Sequence, residues 1–178
     1  MKFSSLDLLS CPACRGALRL PVEQGNGHVT AGSLRCAGCG RVYGITDGIP
    51  HFVEPQALTG PNRRFSQLYD WFSPFYDLYA RLAFAFIGGE ARCRREVLDR
   101  LQPHGRLLEV SIGPGSNLPY LTAMPGVGDI YGLDISPGQL RQCRRRVARH
   151  SWPVELFLGN VEQLPFRDYF IIRERGVE

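Results

Sequence analysis

The sequence predicts an α/β protein in two parts, a small cysteine-rich ribbon followed by a parallel βαβαβ unit. Three observations carry this prediction. Two C-x-x-C pairs lie near the N-terminus, apolar runs alternate with helical patterns from residue 106 onward, and a glycine-rich turn follows the first of those runs. The chain has 178 residues and is 44% hydrophobic, which is enough for one small module and one modest domain.

Composition excludes several classes of protein. The formal charge of +4 comes from 21 Lys and Arg residues, of which only Lys2 is a lysine, and this compositional bias says little about a polyanionic partner. The N-terminus has no charged start followed by a long apolar run, which is the pattern of a secretory signal peptide, so we do not expect a secreted protein. The most apolar later stretch, residues 78–87, contains Arg81 and is shorter than the roughly 20 residues that span a bilayer. We therefore expect a soluble, cytoplasmic protein.

The paired cysteines predict a metal site. They are Cys11 with Cys14 and Cys36 with Cys39, at a spacing close to that of four-cysteine zinc sites. Each C-x-x-C folds as a knuckle that directs two thiolates at one ion, and two knuckles complete a tetrahedron. Such a site has no open position, so we expect structural Zn²⁺ rather than a catalytic metal. Two disulfides or four buried thiols are the alternative.

The sequence around the knuckles resembles a known family. CPACRGAL at residues 11–18 and CAGCGRVYGITDGIP at residues 36–50 are similar to the small zinc ribbons that serve as activating partners of RNA and protein methyltransferases. The resemblance covers nearly all of residues 8–54. It departs at Gly44, where that family usually has a proline.

A boundary follows the ribbon. We assign residues 1–54 to the ribbon and residues 55–64, rich in proline, glycine and polar residues, to a linker. Residues 65–104 form a helical lead-in, whose many aromatic side chains are more typical of packing than of a binding site. Within it, residues 90–101 have the periodicity of an amphipathic helix.

The remainder, residues 105–178, reads as part of a nucleotide-binding unit. Apolar runs at 107–110, 130–133 and 154–158 are separated by helical patterns, which gives βαβαβ. Gly113 and Gly115 lie in the first turn, and Asp134 ends the second run about twenty residues later, as a ribose site requires.

The turn favours a ligand without a pyrophosphate. A dinucleotide site would have a third glycine at position 118, where this chain has Leu118, and Pro114 separates the two glycines present. No G-K-[ST] follows, which excludes a P-loop. S-adenosylmethionine has no pyrophosphate and does not need a helix N-terminus held against phosphate. NAD and FAD are therefore less favoured than S-adenosylmethionine.

Three segments carry a second resemblance. LEVSIGPG at 108–115, YGLDIS at 131–136 and LGNVEQLPF at 158–166 are similar to successive motifs of class I S-adenosylmethionine-dependent methyltransferases, nearest the ubiquinone and menaquinone biosynthesis type. The resemblance covers about residues 65–168 and implies the first half of a Rossmann-like methyltransferase domain. The cofactor-binding positions that it implies are Tyr76, Glu109, Gly113, Gly115, Asp134, Asn160 and Val161.

The implied roles follow the parts of the cofactor. Glu109 and the two glycines border the methionine end, while Asp134 holds the ribose. Asn160 and Val161 meet the adenine, and Tyr76 of the lead-in lies over the cofactor. Two positions depart from the family pattern: Ser111 replaces its first glycine, and Asn160 stands where aspartate is commoner and loses a charge.

The helix after Asp134 has a well-defined start. Ser136 suits the N-cap, Pro137 suits the first helical position, and Gln139 suits the third position of a capping box. Its basic face, which could contact RNA, is more typical of a solvated helix surface. The arginines on that face are Arg141, Arg144, Arg145 and Arg149.

The family would continue beyond the last motif with a fourth strand and substrate-facing loops, of which residues 169–172 supply at most a short strand. We therefore expect a partial domain in which no catalytic residue can be named. Strand 107–110 should have an unpaired edge, and the chain alone should self-associate and be catalytically silent.

Two functions remain in competition. The first is a methyltransferase, or an inactive truncated form of one, acting on a small molecule or on RNA, with a small molecule favoured as acceptor. The alternative is a non-catalytic ribbon and Rossmann-like module that stabilises or activates a partner methyltransferase. A nucleic-acid-binding ribbon is the weakest reading, because the arginines near the knuckles are scattered.

Overall fold

The structure, a computed structural model, describes residues 1–21, 27–53, 92, 94, 98, 100 and 105–167. Three of the sequence predictions fall outside these residues: the linker at 55–64, Tyr76 of the lead-in, and a short strand at 169–172. Of the predicted helix at 90–101, Arg92, Arg94 and Leu98 are helical, with Leu98 buried and Arg92 exposed as the amphipathic pattern predicts.

The N-terminal part is a four-stranded antiparallel sheet that follows a 3-10 helix at Phe3–Leu8. Its strands, in the order β1-β2-β3-β4, are β1 (Leu18–Arg19), β2 (Gly32–Cys36), β3 (Val42–Thr46) and β4 (Ile49–Pro50). Asp47 and Gly48, with φ of 55° and 78°, form the two-residue hairpin turn between β3 and β4. Gly44 lies inside β3, so its departure from the family pattern does not alter a turn.

The C-terminal part confirms the predicted βαβαβ order and parallel sheet. Its elements are β5 (Gly105–Val110), α1 (Leu118–Leu121), β6 (Val127–Asp134), α2 (Pro137–His150) and β7 (Val154–Leu158). The strand order is β5-β6-β7, with β6 between the other two. Strands β5 and β6 begin two and three residues before the predicted apolar runs, because pairing extends into polar positions. Within the described residues β5 pairs with β6 only, and the predicted unpaired edge stays a prediction.

Helix α2 begins as predicted but without a complete capping box. Ser136 is the N-cap, and its Oγ accepts a hydrogen bond of 3.2 Å from the Gln139 N–H. The reciprocal bond is absent, because the Gln139 side chain is buried and its amide atoms have no hydrogen-bond partner in the described part of the chain. Leu140 and Cys143 form the buried face, and Arg144 on the basic face pairs with Asp47 of the ribbon at 2.6 Å.

The ribbon continues the parallel sheet at its β7 edge, a contact that the sequence did not predict. His51 forms a parallel bridge with Leu158, and the Phe52 N–H donates to the Leu158 carbonyl at 2.8 Å. One hydrophobic cluster contains residues of both parts. Its members include Leu9 and Phe52 from the ribbon, and Tyr131, Phe157 and Phe166 from the sheet. The ribbon and the parallel sheet therefore share this hydrophobic cluster, and Ile49 of β4 belongs to a second cluster with Ile130 and Leu140.

A buried carboxylate joins the N-terminus to the sheet. Glu155 of β7 accepts hydrogen bonds from the Lys2 backbone N–H and the Ser5 hydroxyl, each 2.6 Å long. These bonds offset the cost of burying its charge. A second contact between the two parts is the hydrogen bond of 2.9 Å that the Arg15 guanidinium donates to the Leu164 carbonyl. Among the described residues no helix is both long enough and apolar enough to cross a bilayer.

Candidate functional site

The four paired cysteines form one cluster in the ribbon. Their sulfur atoms all lie within 4.8 Å of one another, with 3.7 Å between Cys11 and Cys39 and 3.4 Å between Cys14 and Cys36. Four thiolates around zinc, each about 2.3 Å from the ion, would be about 3.8 Å apart. The described cysteines are free, so the disulfide alternative is not what the structure contains. The donor set and its dimensions fit a tetrahedral zinc ion.

Backbone amides favour the thiolate form of the second knuckle. The N–H groups of Cys39 and Gly38 point at the Cys36 sulfur at 3.4 Å and 3.3 Å, and they lower the pKa of Cys36 to about 6. Gly16 completes the cradle, because a Cβ at that position would lie 3.0 Å from the same sulfur. A residue with a side chain would therefore crowd the Cys36 sulfur at position 16, where the two knuckles meet.

Tyr43 supports the cluster from outside. Its hydroxyl lies 3.1 Å from the Cys11 sulfur, and its ring is buried against Phe52 with 5.1 Å between ring centroids. A hydroxyl that donates to a thiolate orients it as a metal ligand. The sequence analysis did not identify this residue, although a tyrosine four positions after a C-x-x-C is a signal that could have pointed to it.

The glycine turn follows β5 at the carboxyl end of the parallel sheet. Ser111, Gly113 and Gly115 have φ of 55°, 57° and 79°. A Cβ on Gly115 would lie 2.8 Å from both the Cys143 sulfur and the Leu118 Cδ1 atom, whereas one on Gly113 would meet nothing closer than 4.0 Å. Gly115 thus permits close packing of the turn on α2, and Gly113 provides a left-handed conformation beside open space.

Asp134 ends β6 directly beside this turn. Its Oδ2 atom accepts a hydrogen bond from the Gly113 N–H at 2.8 Å, and its Oδ1 atom accepts one from the Ser136 N–H at 2.9 Å. The carboxylate is held at the edge of the sheet between the turn and the start of α2. Open α/β sheets bind their ligands outside the carboxyl ends of their strands, which is where this carboxylate lies.

Glu109, near the end of β5, is partly buried beside the turn. Its Oε1 atom accepts a hydrogen bond from the Asn117 side-chain amide at 2.6 Å, and the Asn117 oxygen accepts one from Arg94 at 2.5 Å. Burial raises the pKa of Glu109 to about 7, against the opposing effects of Asn117 and Arg94. The Glu109 Oε2 atom is buried without a hydrogen-bond partner in the described residues.

The predicted adenine residues follow β7. Asn160 begins a 3-10 turn at Val161–Gln163, its Oδ1 atom accepting from the Glu162 N–H at 3.0 Å. Val161 is half exposed. Because the strands are parallel, this turn lies at the same edge of the sheet as Asp134, and the Gly159 N–H donates to the Asp134 carbonyl at 2.9 Å.

The structure therefore brings most of the predicted cofactor residues to one edge of the sheet. Glu109, Gly113, Gly115 and Asp134 surround the glycine turn, and Asn160 with Val161 follows the neighbouring strand. Their contacts with a cofactor stay predictions. The sequence analysis missed Arg94 and Asn117, which depend on side-chain reach rather than on a motif.

Two family models match the chain. The Trm112p-like protein family matches residues 2–48, and a methyltransferase domain matches residues 107–172. These matches confirm both resemblances stated from the sequence.

Individual proteins resemble one part or the other. A ubiquinone/menaquinone biosynthesis C-methyltransferase from Geobacter sp. (strain M21) is 31% identical over 117 residues, covering 63% of this chain and 49% of that protein. A UPF0434 protein from Pseudomonas fluorescens (strain Pf0-1) is 39% identical over 54 residues, which are 30% of this chain and 77% of that protein. The chain thus spans about half the length of the methyltransferase relative.

Among solved structures, the complex between the Haloferax volcanii Trm112 methyltransferase activator and a methyltransferase has a TM-score of 0.45 at 20% identity. The match covers 56% of this chain and 42% of that one.

Proposed function

We propose that the chain, which matches the Trm112p-like protein family over residues 2–48 and a methyltransferase domain over residues 107–172, binds S-adenosylmethionine as part of a small-molecule methyltransferase. The observation that carries this proposal is the position of Asp134. Its carboxylate is oriented by the N–H groups of Gly113 and Ser136 at the carboxyl end of the sheet. A carboxylate offers about four lone-pair sites, so it can accept from ribose hydroxyls beside these two donors.

The remaining residues fit the other parts of the cofactor. Glu109 with the glycine turn suits the methionine end, because its buried Oε2 atom has no donor among the residues that the structure describes. Asn160 and Val161 suit the adenine, because Asn160 offers polar atoms for hydrogen bonds and the half-exposed Val161 offers an apolar surface for the ring. When bound, S-adenosylmethionine supplies an electrophilic methyl group. The residues named here bind and orient it, which is the main protein contribution to a transfer that depends on alignment.

We assign the cysteine cluster to one structural zinc ion. With all four positions taken by Cys11, Cys14, Cys36 and Cys39, the metal has no open site for chemistry. Its contribution is to fold the ribbon, whose residues 51 and 52 then cover the edge of β7.

A small-molecule acceptor is favoured over RNA. The relative from Geobacter is named for methylation in quinone biosynthesis. The basic face of α2 is more typical of a solvated helix surface than of an RNA contact, and Arg144 on that face pairs with Asp47. The chain spans about half of that relative, so catalytic silence of this chain and its self-association stay predictions.

The alternative, a module that activates a partner methyltransferase, receives less support. The apolar side chains of the ribbon, Leu9 and Phe52 among them, are buried against the chain's own sheet. A ribbon that packs against its own methyltransferase domain does not present those residues to a second protein.

Calorimetric titration with S-adenosylhomocysteine tests the proposal. We expect the parent chain to bind and Asp134→Asn to bind at least tenfold more weakly, because a charged hydrogen bond is lost. Asp129→Asn is the matched control, at the far end of the same strand and in a partly exposed pair with Lys2. Failure of the parent to bind, or equal affinity in Asp134→Asn, would refute the assignment.

A further inference from the structure

The turn at residues 160–163, which follows β7, is held together by short-range hydrogen bonds. The Asn160 side chain accepts from the Glu162 N–H at 3.0 Å, and the Gln163 N–H donates to the Asn160 carbonyl at 3.1 Å. Residues 161–163 are exposed. A segment with exposed hydrogen bonds and little buried surface has low local stability. Its conformation therefore depends on how its two ends are held.

The ribbon holds both ends of this turn. Before the turn, the Phe52 N–H donates to the Leu158 carbonyl at 2.8 Å. After it, Leu164 is the C-cap of the turn, and its carbonyl accepts the hydrogen bond of 2.9 Å from the Arg15 guanidinium. Fixing both ends of a short segment reduces the number of conformations that the segment can adopt. The ribbon thus restricts the turn that carries Asn160 and Val161.

Arg15 belongs to the first cysteine knuckle. It follows Cys14 directly, and its backbone N–H donates to the Cys11 carbonyl at 2.7 Å within the knuckle. Its φ of 61° is a left-handed conformation that residues with side chains rarely adopt. Such a conformation persists where the surrounding structure fixes it, and here the knuckle does so. The direction of the guanidinium toward Leu164 therefore depends on the knuckle that the zinc ion closes.

Other bonds keep the ribbon against the sheet independently of Arg15. The Ser10 N–H donates to the Pro165 carbonyl at 3.0 Å, and its hydroxyl donates to the Phe166 carbonyl at 3.1 Å. The Arg167 N–H donates to the Leu8 carbonyl at 2.9 Å. Loss of the Arg15 side chain alone should therefore release the end of the turn and leave the ribbon in place.

We propose that Arg15 is a positioning residue that couples the cysteine cluster to the 160–163 turn, so that zinc and the cofactor each bind more tightly in the presence of the other. This inference rests on the proposed function and deepens it. Zinc fixes the knuckle, the knuckle directs Arg15, and a turn that is already restricted loses less conformational entropy when it meets a ligand. Thermodynamic linkage requires the cofactor to raise zinc affinity by the same factor.

Two measurements on the zinc-loaded chain test the coupling. S-adenosylhomocysteine affinity is measured by calorimetry, and zinc affinity is measured by chelator competition with and without saturating S-adenosylhomocysteine. The proteins are the parent, Arg15→Gln, Arg15→Lys and the control Arg19→Gln, which removes the same charge from an exposed position on β1. Glutamine and lysine have side chains, so they keep the backbone strain at position 15 and change only the donor group. Lysine still donates to a carbonyl.

We expect Arg15→Gln to weaken S-adenosylhomocysteine binding by roughly three- to tenfold, as loss of one hydrogen bond implies, with Arg15→Lys closer to the parent and Arg19→Gln unchanged. S-adenosylhomocysteine should tighten zinc binding by at least about threefold in the parent and by less in Arg15→Gln. A merely structural role would lower zinc affinity equally with and without the ligand and leave that ratio unchanged.

Three results would overturn the inference while the proposed function stands. They are an Arg15→Gln variant that binds S-adenosylhomocysteine as tightly as the parent, an equal effect of the ligand on zinc affinity in both proteins, and an Arg15→Gln variant that no longer holds one equivalent of zinc. The last result would assign Arg15 to the knuckle alone. If the parent does not bind S-adenosylhomocysteine, the proposed function fails and the inference with it.

Discussion

Glu109→Gln should stabilise the ligand-free protein at alkaline pH. Burial raises the pKa of Glu109 from 4.5 to about 7 in the folded chain, so the folded state binds this proton more tightly than the unfolded state does. Stability is therefore lost as the pH rises from about 4.5 to about 7 and is constant above. Each unit corresponds to about 1.36 kcal/mol, so ionising Glu109 costs the folded chain about 3 kcal/mol. A glutamine keeps the acceptor for Asn117 and has no charge to bury.

The assay compares urea unfolding of the parent and of Glu109→Gln from pH 5 to pH 8. The quantity of interest is the variant's free energy of unfolding minus the parent's, because groups that titrate in both proteins cancel. We expect this difference to grow by about 2.5 kcal/mol across the range. A difference that is independent of pH, or that falls as pH rises, would refute the reasoning about this buried carboxylate.

Two further predictions concern the glycine turn and the metal cluster. Gly115→Ala should destabilise the chain by about 2 kcal/mol more than Gly113→Ala in thermal or urea unfolding, because only its Cβ would collide with Leu118 and Cys143; equal losses would contradict the packing described. Tyr43→Phe should lower zinc affinity by roughly tenfold in a chelator competition, because it removes a hydrogen bond to a coordinating sulfur; unchanged affinity would contradict a supporting role, and absence of zinc in the parent would contradict the site.

Local patterns made much of this protein predictable from its sequence. The four cysteines were identified because each knuckle is built within four residues. Strand β7 has the predicted bounds, 154–158, because an apolar run between a turn and a glycine leaves few alternatives. Asp134 could be paired with Gly113 because the carboxyl ends of parallel strands lie at one edge of the sheet.

Contacts between distant residues were not predictable in the same way. The hydrogen bonds from Lys2 and Ser5 to Glu155 join residues about 150 positions apart, and no sequence motif predicts them. A glutamate inside an apolar run indicated that its carboxylate would accept hydrogen bonds from other residues. The sequence did not indicate which residues would donate them. Likewise, the long side chain of Arg94 reaches Asn117. The hydrophobic periodicity of a helix does not predict such a contact.

The capping box fails for a related physical reason. Ser136 caps α2 as predicted, since its bond to the Gln139 N–H needs only local backbone geometry. The Gln139 side chain belongs to the buried face of α2 instead. Tertiary packing decided its conformation, and a pattern of four residues does not contain that information.

A crystal structure of the zinc-loaded chain with S-adenosylhomocysteine tests the central claim most directly. The account predicts ribose hydroxyls within hydrogen-bond distance of Asp134 and the methionine end of the ligand beside Glu109 and the glycine turn. An ordered ligand whose ribose lies away from Asp134, or a crevice beside the glycine turn that stays empty at saturating ligand, would contradict it.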